Sequence, residues 1–297
     1  MKNSATADVE PFLKWPGGKR WASGAIAELI RPELKGRYFE PFLGAGAVFL
    51  KLRPDAAVLS DLNTDLMRFL RICRSSPEAV VKATWRHSNT EECYYRIRAS
   101  RPRSEIGFAA RFLYLNRTCW GGIYRTNATG DFNVPFGGSD RQICSKESVL
   151  AVARCLKKAS LEEGDFERTV ASARAGDVIY ADPPYTSKGQ NNGFIRYNEK
   201  LFSWEDQCRL AKVASRARQR GVFTVISGSH HRDVMALYEG WWGIQMNRRS
   251  LVSRAVSARR DYSEVLLISR RPKSNAAEKL GAFRVSDTLL AGMRVEG

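Results

Sequence analysis

An α/β protein with a doubly wound, mostly parallel sheet and an inserted, mostly helical module is the fold this sequence predicts. Three observations carry that expectation. Short apolar runs of strand length recur with helical stretches between them. The first two runs are joined by a glycine turn and a helix, and the second ends on an acid. The alternation then stops near residue 64 and resumes only after residue 155.

Taken in order, Tyr38-Phe39-Glu40-Pro41-Phe42 reads as a short buried strand that stops at Gly44-Ala45-Gly46. A helix over residues 47–52 follows, then a second apolar run, residues 56–60, closed by Asp61. Strand, glycine turn, helix, strand, acid is the pattern of a βαβ nucleotide-binding unit. Gly44 and Asp61 are separated by close to the roughly 20 residues expected of a ribose-binding acid. The turn is not the GxGxxG of dinucleotide binders, since Ala47-Val48-Phe49 follows it. With Asp61 in place, an adenosine-containing ligand is the better reading: Asp61 would hold ribose hydroxyls while the glycines let the ligand approach the backbone.

Residues 64–155 lack long β-branched runs and carry 15 Lys/Arg against 8 Asp/Glu. The α/β pattern resumes with Asp177-Val178-Ile179-Tyr180-Ala181, a buried strand leading into Asp182-Pro183-Pro184-Tyr185. Ser203-Trp204-Glu205-Asp206 resembles a capping box opening a basic amphipathic helix to about residue 220. Residues 222–226 and 264–268 read as two further strands, and the last 25 or so residues are weakly patterned.

The chain has 297 residues, 43% hydrophobic and 27% charged, which suits a buried core and excludes disorder as its main state. Lys+Arg outnumber Asp+Glu 48 to 31, a net charge of +17. Such an excess favours a polyanionic partner, because a basic surface releases counterions when it neutralises phosphates. On charge alone, a merely soluble basic protein stays equally open. No apolar run of about 18 residues is present, so no membrane span is expected. Residues 1–10 lack the apolar core of a secretory signal. Six scattered cysteines without a CxxC pair suit reduced thiols, and with three histidines neither a zinc site nor a histidine triad is expected.

The DPPY tetrapeptide is the first candidate for chemistry. Two prolines fix the backbone and remove two N–H donors, so the Asp182 carboxylate and the Pro183 carbonyl dominate the strand end. Tyr185 adds an aromatic face. Two acceptors beside a π-surface suit a flat substrate with an exocyclic amino group, adenine N6 or cytosine N4, although a plain proline-rich strand exit is an equal reading of the tetrapeptide alone. Lys14-Trp15-Pro16-Gly17-Gly18-Lys19 is the other candidate. It is not a phosphate loop, because Arg20 stands where GxxxxGK[ST] needs Ser or Thr, and a basic surface turn is its simplest reading.

Together these residues resemble the DNA adenine methyltransferase family, the D12 class that methylates adenine N6. Residues 14–19 look like its N-terminal cofactor motif, residues 40–46 are similar to its FxGxG motif, and Asp182-Pro183-Pro184-Tyr185 matches its catalytic tetrapeptide. The similarity extends through Leu115-Asn116-Arg117-Thr118-Cys119-Trp120-Gly121-Gly122-Ile123-Tyr124-Arg125 and residues 132–137, then Arg248-Arg249-Ser250 and Ser263-Glu264-Val265. It covers roughly residues 12 to 270.

The resemblance implies a Rossmann-like class I methyltransferase domain of residues 1–63 and 156–271. It further implies an inserted DNA-recognition domain of residues 64–155 and a tail of residues 272–297. S-adenosylmethionine is the implied cofactor, held by Trp15, Lys19, Glu40, Phe42, Gly44, Gly46, Asp61 and Asp182. Asp182, Pro183, Pro184 and Tyr185 are the implied catalytic residues, with Tyr185 stacking on a flipped adenine. Lys14, Arg117, Trp120, Ile123, Arg125, Asn127 and Pro135 are the implied DNA contacts, and no metal is implied. Double-stranded DNA is the expected partner, GATC the default target, and a monomer in the cytoplasm, associated with the nucleoid, the expected state. Gly121 and Gly138 depart from relatives that carry polar or basic residues there, and Trp120 replaces a more usual tyrosine or phenylalanine. A methyltransferase acting on RNA or on another amide nitrogen, and a non-catalytic DNA-binding protein, are the alternatives.

Overall fold

The computed structural model describes residues 8–127, 130–138, 143–186, 202–249, 261–286 and 293. It is mixed α/β with a mostly parallel central sheet. The described strands are β1 (Tyr38–Glu40), β2 (Ala57–Asp61), β3 (Ala159–Glu163), β4 (Val178–Ala181), β5 (Phe223–Ser229), β6 (Trp242–Arg249), β7 (Asp261–Ile268) and β8 (Phe283–Arg284). The chain falls into two units: one takes residues up to Gly24 with Leu43–Gly164, the other Ala25–Phe42 with the chain from Asp165 onward.

In the first unit β2 and β3 pair in parallel, Ala57 opposite Ala159 through Asp61 opposite Glu163. The glycine turn leads into the helix Ala47–Leu52, whose residues are buried except Lys51. Between β2 and β3 every described regular element is helical: Thr64–Ser75, Pro77–Thr84, Glu91–Ala99, Glu105–Thr118, a 3-10 turn at Trp120–Gly122, and Lys146–Leu156. Side-chain oxygens of Asn63, Thr90, Ser104 and Ser145 cap four of these helices, each accepting an N–H that the first turn leaves unpaired. Rings fill the core: Phe69 stacks on Phe112 at 4.6 Å, and Tyr94 and Tyr114 are fully buried with Leu115, Phe132 and Val134. Two antiparallel bridges, Cys119 with Phe136 and Thr126 with Phe132, set residues 119–127 against residues 130–136 as a hairpin.

In the second unit β1, β4 and β5 are parallel neighbours, and β7, β6 and β8 extend them in antiparallel fashion. The strand carrying DPPY is anchored at its entrance by Asp177. This buried carboxylate accepts the N–H of Arg37 at 2.7 Å and of Arg174 at 2.9 Å, and pairs with the Arg37 guanidinium at 3.1 Å. Hydrogen bonding of this kind offsets the cost of burying the charge. The helix Trp204–Gln219 opens with the expected capping box, Ser203 and Asp206 each bonding the other's backbone N–H.

Several expectations shift in register. The first strand stops at Glu40, because Pro41 has no N–H for a ladder. The strands expected at 222–226 and 264–268 run instead over Phe223–Ser229 and Asp261–Ile268. β3 and β6 are additions, and the weakly patterned C-terminal region contributes a short helix, Asn275–Lys279, and the edge strand β8. Ser250 lies outside the described residues.

Candidate active site

In the first unit the candidate residues gather around the glycine turn. Gly44 and Gly46 adopt φ of 50° and 68°, the left-handed region that only glycine enters cheaply. This conformation aims the Gly44 N–H at Asp61 Oδ2, 2.9 Å away, while Asp61 Oδ1 accepts the Asn63 N–H at 2.9 Å. A carboxylate has lone pairs beyond these two bonds, so acceptor capacity remains for hydroxyl groups. Burial raises the Asp61 pKa above the ordinary carboxylate value, against the opposing N–H bonds of Gly44, Asn63 and Leu62. Leu62, next along the chain, is 68% exposed, a large apolar side chain in water at the rim of this turn.

Trp15 packs against the same turn: a Cβ built on Gly44 would lie 2.8 Å from its Cδ1. The Trp15 carbonyl accepts the Gly18 N–H at 3.2 Å, closing a turn that carries Gly17 at φ 76°. Lys19 is buried, its Nζ 3.2 Å from the Gly17 carbonyl. Lys14 is gripped by the end of the helix Glu105–Thr118. Its N–H donates to Asn116 Oδ1 at 3.0 Å, Asn116 Nδ2 donates back to its carbonyl at 2.7 Å, and its Nζ reaches the Arg117 carbonyl at 3.3 Å.

Of the expected DNA contacts, Trp120, Ile123, Arg125, Asn127 and Pro135 lie on the hairpin, whereas Arg117 belongs to the last turn of the helix Glu105–Thr118 and Lys14 to the N-terminal segment. The Trp120 side chain is exposed, with the residue 61% accessible, although its backbone N–H is fixed on the Pro135 carbonyl at 2.9 Å. Arg125, Asn127 and Pro135 are exposed and Ile123 is half-buried. Arg125 Nε donates to Asn133 Oδ1 at 2.9 Å, which orients the guanidinium. Arg117 donates Nε to the Ile143 carbonyl and Nη1 to the Phe12 carbonyl, bracing the N-terminal segment.

In the second unit the candidate residues stand at the end of β4. Asp182 and Tyr185 are half-buried and Pro183 is buried. The Tyr185 hydroxyl donates to Glu264 Oε2 at 2.9 Å, so its ring is held at both ends. Burial, then the charges of Asp182 and Glu264, hold that phenol well above its ordinary pKa and keep it a donor. Beneath lie two more satisfied tyrosines: Tyr38 donates to Glu40 Oε2 at 2.8 Å, and Tyr180 shares a 2.8 Å bond with Ser227. Phe42 contributes apolar surface, packed on Phe166 at 5.3 Å and Phe202 at 5.5 Å. Sequence reading did not find Leu62, nor the Glu264 partner of Tyr185, nor the Asn116 grip on Lys14. Each is visible only as a contact made in three dimensions.

No described helix is long and apolar enough to cross a membrane. Among the described residues no group of three His, Cys, Asp or Glu side chains is placed to hold a metal ion.

A glycine turn answered by an acid, with DPPY at the end of a parallel strand, defines an α/β protein of the methyltransferase type. A model of the D12 class N6 adenine-specific DNA methyltransferases matches residues 15–251, and the chain belongs to that family. It is 35% identical over 243 residues to a type II methyltransferase of Lactococcus lactis subsp. cremoris, covering 78% of this chain and 85% of that protein. It is 31% identical over 264 residues to a DNA adenine methylase of Vibrio cholerae serotype O1, covering 86% and 95%. The DNA adenine methylase of Escherichia coli K12 is 30% identical over 279 residues, covering 90% and 98%. Adenine-specific DNA methylation is therefore the activity of this chain.

Proposed function

We propose that the chain transfers a methyl group from S-adenosylmethionine to N6 of an adenine flipped out of duplex DNA, within GATC. The observation that carries this reading is the left-handed Gly44 turn bonded to Asp61, in a chain that also carries an acceptor-rich DPPY at the end of β4. The residues present fit the cofactor. Side-chain-free backbone at Gly44 and Gly46 admits close approach, Asp61 offers acceptors for hydroxyls, and exposed Leu62 offers an apolar face to a base. Trp15, Lys19, Glu40, Phe42 and Asp182 complete the binding set that the family resemblance implies. Bound there, the cofactor supplies an electrophilic methyl group on a sulfonium.

The chain's own residues supply positioning and electrostatics. Adenine N6 is a poor nucleophile, because its lone pair is delocalised into the ring. The Asp182 carboxylate and Pro183 carbonyl accept its two N–H bonds, which favours a pyramidal nitrogen with a localised lone pair. The proton that nitrogen sheds leaves along one of these bonds. Pro184 holds the backbone rigid, and Tyr185, tied by its hydroxyl to Glu264, presents its ring to the adenine. Probing with labelled donor, duplex DNA, RNA and protein tests the substrate class. The duplex alone is expected to take label, and equal labelling of RNA or protein would reject the reading.

In this proposal the helical insert with its hairpin is the DNA reader. Lys14 and Asn127 face the duplex, Arg125 makes a bidentate contact to guanine, and Ile123 or Pro135 touches a thymine methyl. Arg117 acts as a brace on the N-terminal segment. Exposed Trp120 wedges into the stack left open by the flipped base. Trp120→Ala is expected to lower kcat/KM on duplex by about 10- to 100-fold, the equivalent of about 1–3 kcal/mol of stacking. That defect should shrink when the target adenine sits in a mismatch, which is cheaper to unstack. An equal defect on both substrates would show that Trp120 does not act as a wedge.

Asp61 makes cofactor binding pH-dependent. Its raised pKa means that it takes up a proton at a higher pH than an ordinary aspartate, about 3.9. Protonation converts one acceptor into a donor, so affinity for a non-reactive donor analogue such as sinefungin should fall as pH drops towards that raised value. Asp61→Asn should bind more weakly at neutral pH and lose this part of the pH dependence in a calorimetric titration.

A further inference from the structure

We propose that Lys14 and Trp15 relay donor occupancy to the duplex-reading hairpin, and that Tyr124 is the positioning residue at the joint. This rests on the reading of the glycine turn as the donor site and the hairpin as the DNA reader. The contacts form a closed ring. Trp15 lies against Gly44, and Gly44 is bonded to Asp61. Four residues beyond Asp61, in the first turn of the helix Thr64–Ser75, Asp65 accepts a 2.6 Å bond from the Tyr124 hydroxyl. The Tyr124 ring returns to Trp15, nearly parallel to it at 14° with centroids 6.1 Å apart, and is backed by Phe112 at 4.7 Å.

The hairpin is joined to the same segment at a second point. A Cβ built on Gly122, itself at φ 66°, would collide with Lys14 Cβ, so hairpin backbone and Lys14 stem are in direct contact. Tyr124 is flanked in sequence by Ile123 and Arg125, the residues proposed to read bases. A ligand that settles the Gly44 turn therefore settles Trp15, and through Tyr124 the base-reading side chains. Packed cores and hydrogen-bonded rings transmit such shifts because their parts cannot move independently. The bond to Asp65 and the near-parallel Trp15 ring together fix the Tyr124 side chain between the glycine-turn side and the hairpin.

The test is a binding cycle with sinefungin and a labelled duplex that the wild-type enzyme methylates. Sinefungin should tighten duplex binding by about tenfold, and duplex should tighten sinefungin by the same factor. In Tyr124→Leu the factor should fall to within about twofold of unity while each ligand alone binds within about threefold of wild type. Tyr124→Phe, which keeps the ring, should retain most of the coupling. A folded Tyr124→Leu with undiminished coupling, or a wild type with none, would overturn the relay. Hydrogen exchange on the wild type needs no variant: sinefungin alone should slow exchange at the Gly122 and Ile123 amides, and unchanged rates there would also overturn it. Wild type that binds neither ligand would instead reject the functional reading, an outcome distinct from binding without coupling.

Discussion

Asp182→Ala is expected to lower methyl transfer to duplex DNA by about 10³-fold or more while duplex affinity changes by less than about threefold. The asymmetry follows from where the residue acts. Asp182 sits at the end of β4 beside a buried Pro183, on a strand whose entrance is held independently by the three bonds to Asp177. Removing the carboxylate leaves the strand and the hairpin in place, but takes away one of two acceptors for the amino group. Interactions that strengthen as charge develops are worth the most in a site that excludes water. Single-turnover kinetics alongside a fluorescence-anisotropy titration separates the two effects. A parallel loss of binding and turnover would assign Asp182 a structural role instead.

Gly44→Ala should weaken sinefungin binding by about 10- to 100-fold, the equivalent of about 1–3 kcal/mol of overpacking and backbone strain. Two penalties coincide at this position. The backbone is in the left-handed region at φ 50°, and the new methyl would meet Trp15 Cδ1 at 2.8 Å. Either the indole moves and Trp15 leaves the turn, or the turn opens and the 2.9 Å bond that presents Asp61 breaks. Gly240→Ala is the matching control: φ is 73° there, but no atom lies within 4 Å of the added methyl. The control should lower Tm modestly and leave donor affinity unchanged. Calorimetric titration of both variants measures the difference, and equal donor affinities would detach the turn from donor binding.

Much of the site was legible in the sequence because its motifs are local. The glycines of the turn, the helix Ala47–Leu52 and the acid after β2 are successive in the chain, so spacing alone reveals them. The Ser203–Asp206 capping box is likewise a four-residue signal and appears as expected. DPPY announces itself by removing backbone donors at a strand end. β3 escaped notice because Ala-Ser-Leu-Glu-Glu has only two apolar side chains and its two glutamates resemble a helix. β6 escaped because Trp242-Gly243-Ile244-Gln245-Met246 mixes glycine and polar residues. Its stability comes from eight residues of antiparallel pairing with β7, which spacing does not display.

The parts of the site that could not be read share one physical reason. Asn116 grips the backbone of a residue 102 positions away, Tyr124 reaches Asp65 across 59, and Tyr185 finds Glu264 across 79. Side-chain type says that a buried amide or phenol needs a partner, but not which one. Leu62 presents the opposite difficulty. In sequence it is an ordinary leucine after a strand, and only its exposure marks it.

The central claim, that Asp182 and the Pro183 carbonyl hold the amino group that receives the methyl, is tested most directly by mass analysis of nucleosides. Duplex DNA is incubated with isotopically labelled S-adenosylmethionine and either wild-type or Asp182→Ala enzyme, then digested. Label confined to N6-methyldeoxyadenosine with wild type, and absent with the variant, is the result expected. Label on another base, or the same yield from the variant, would contradict it.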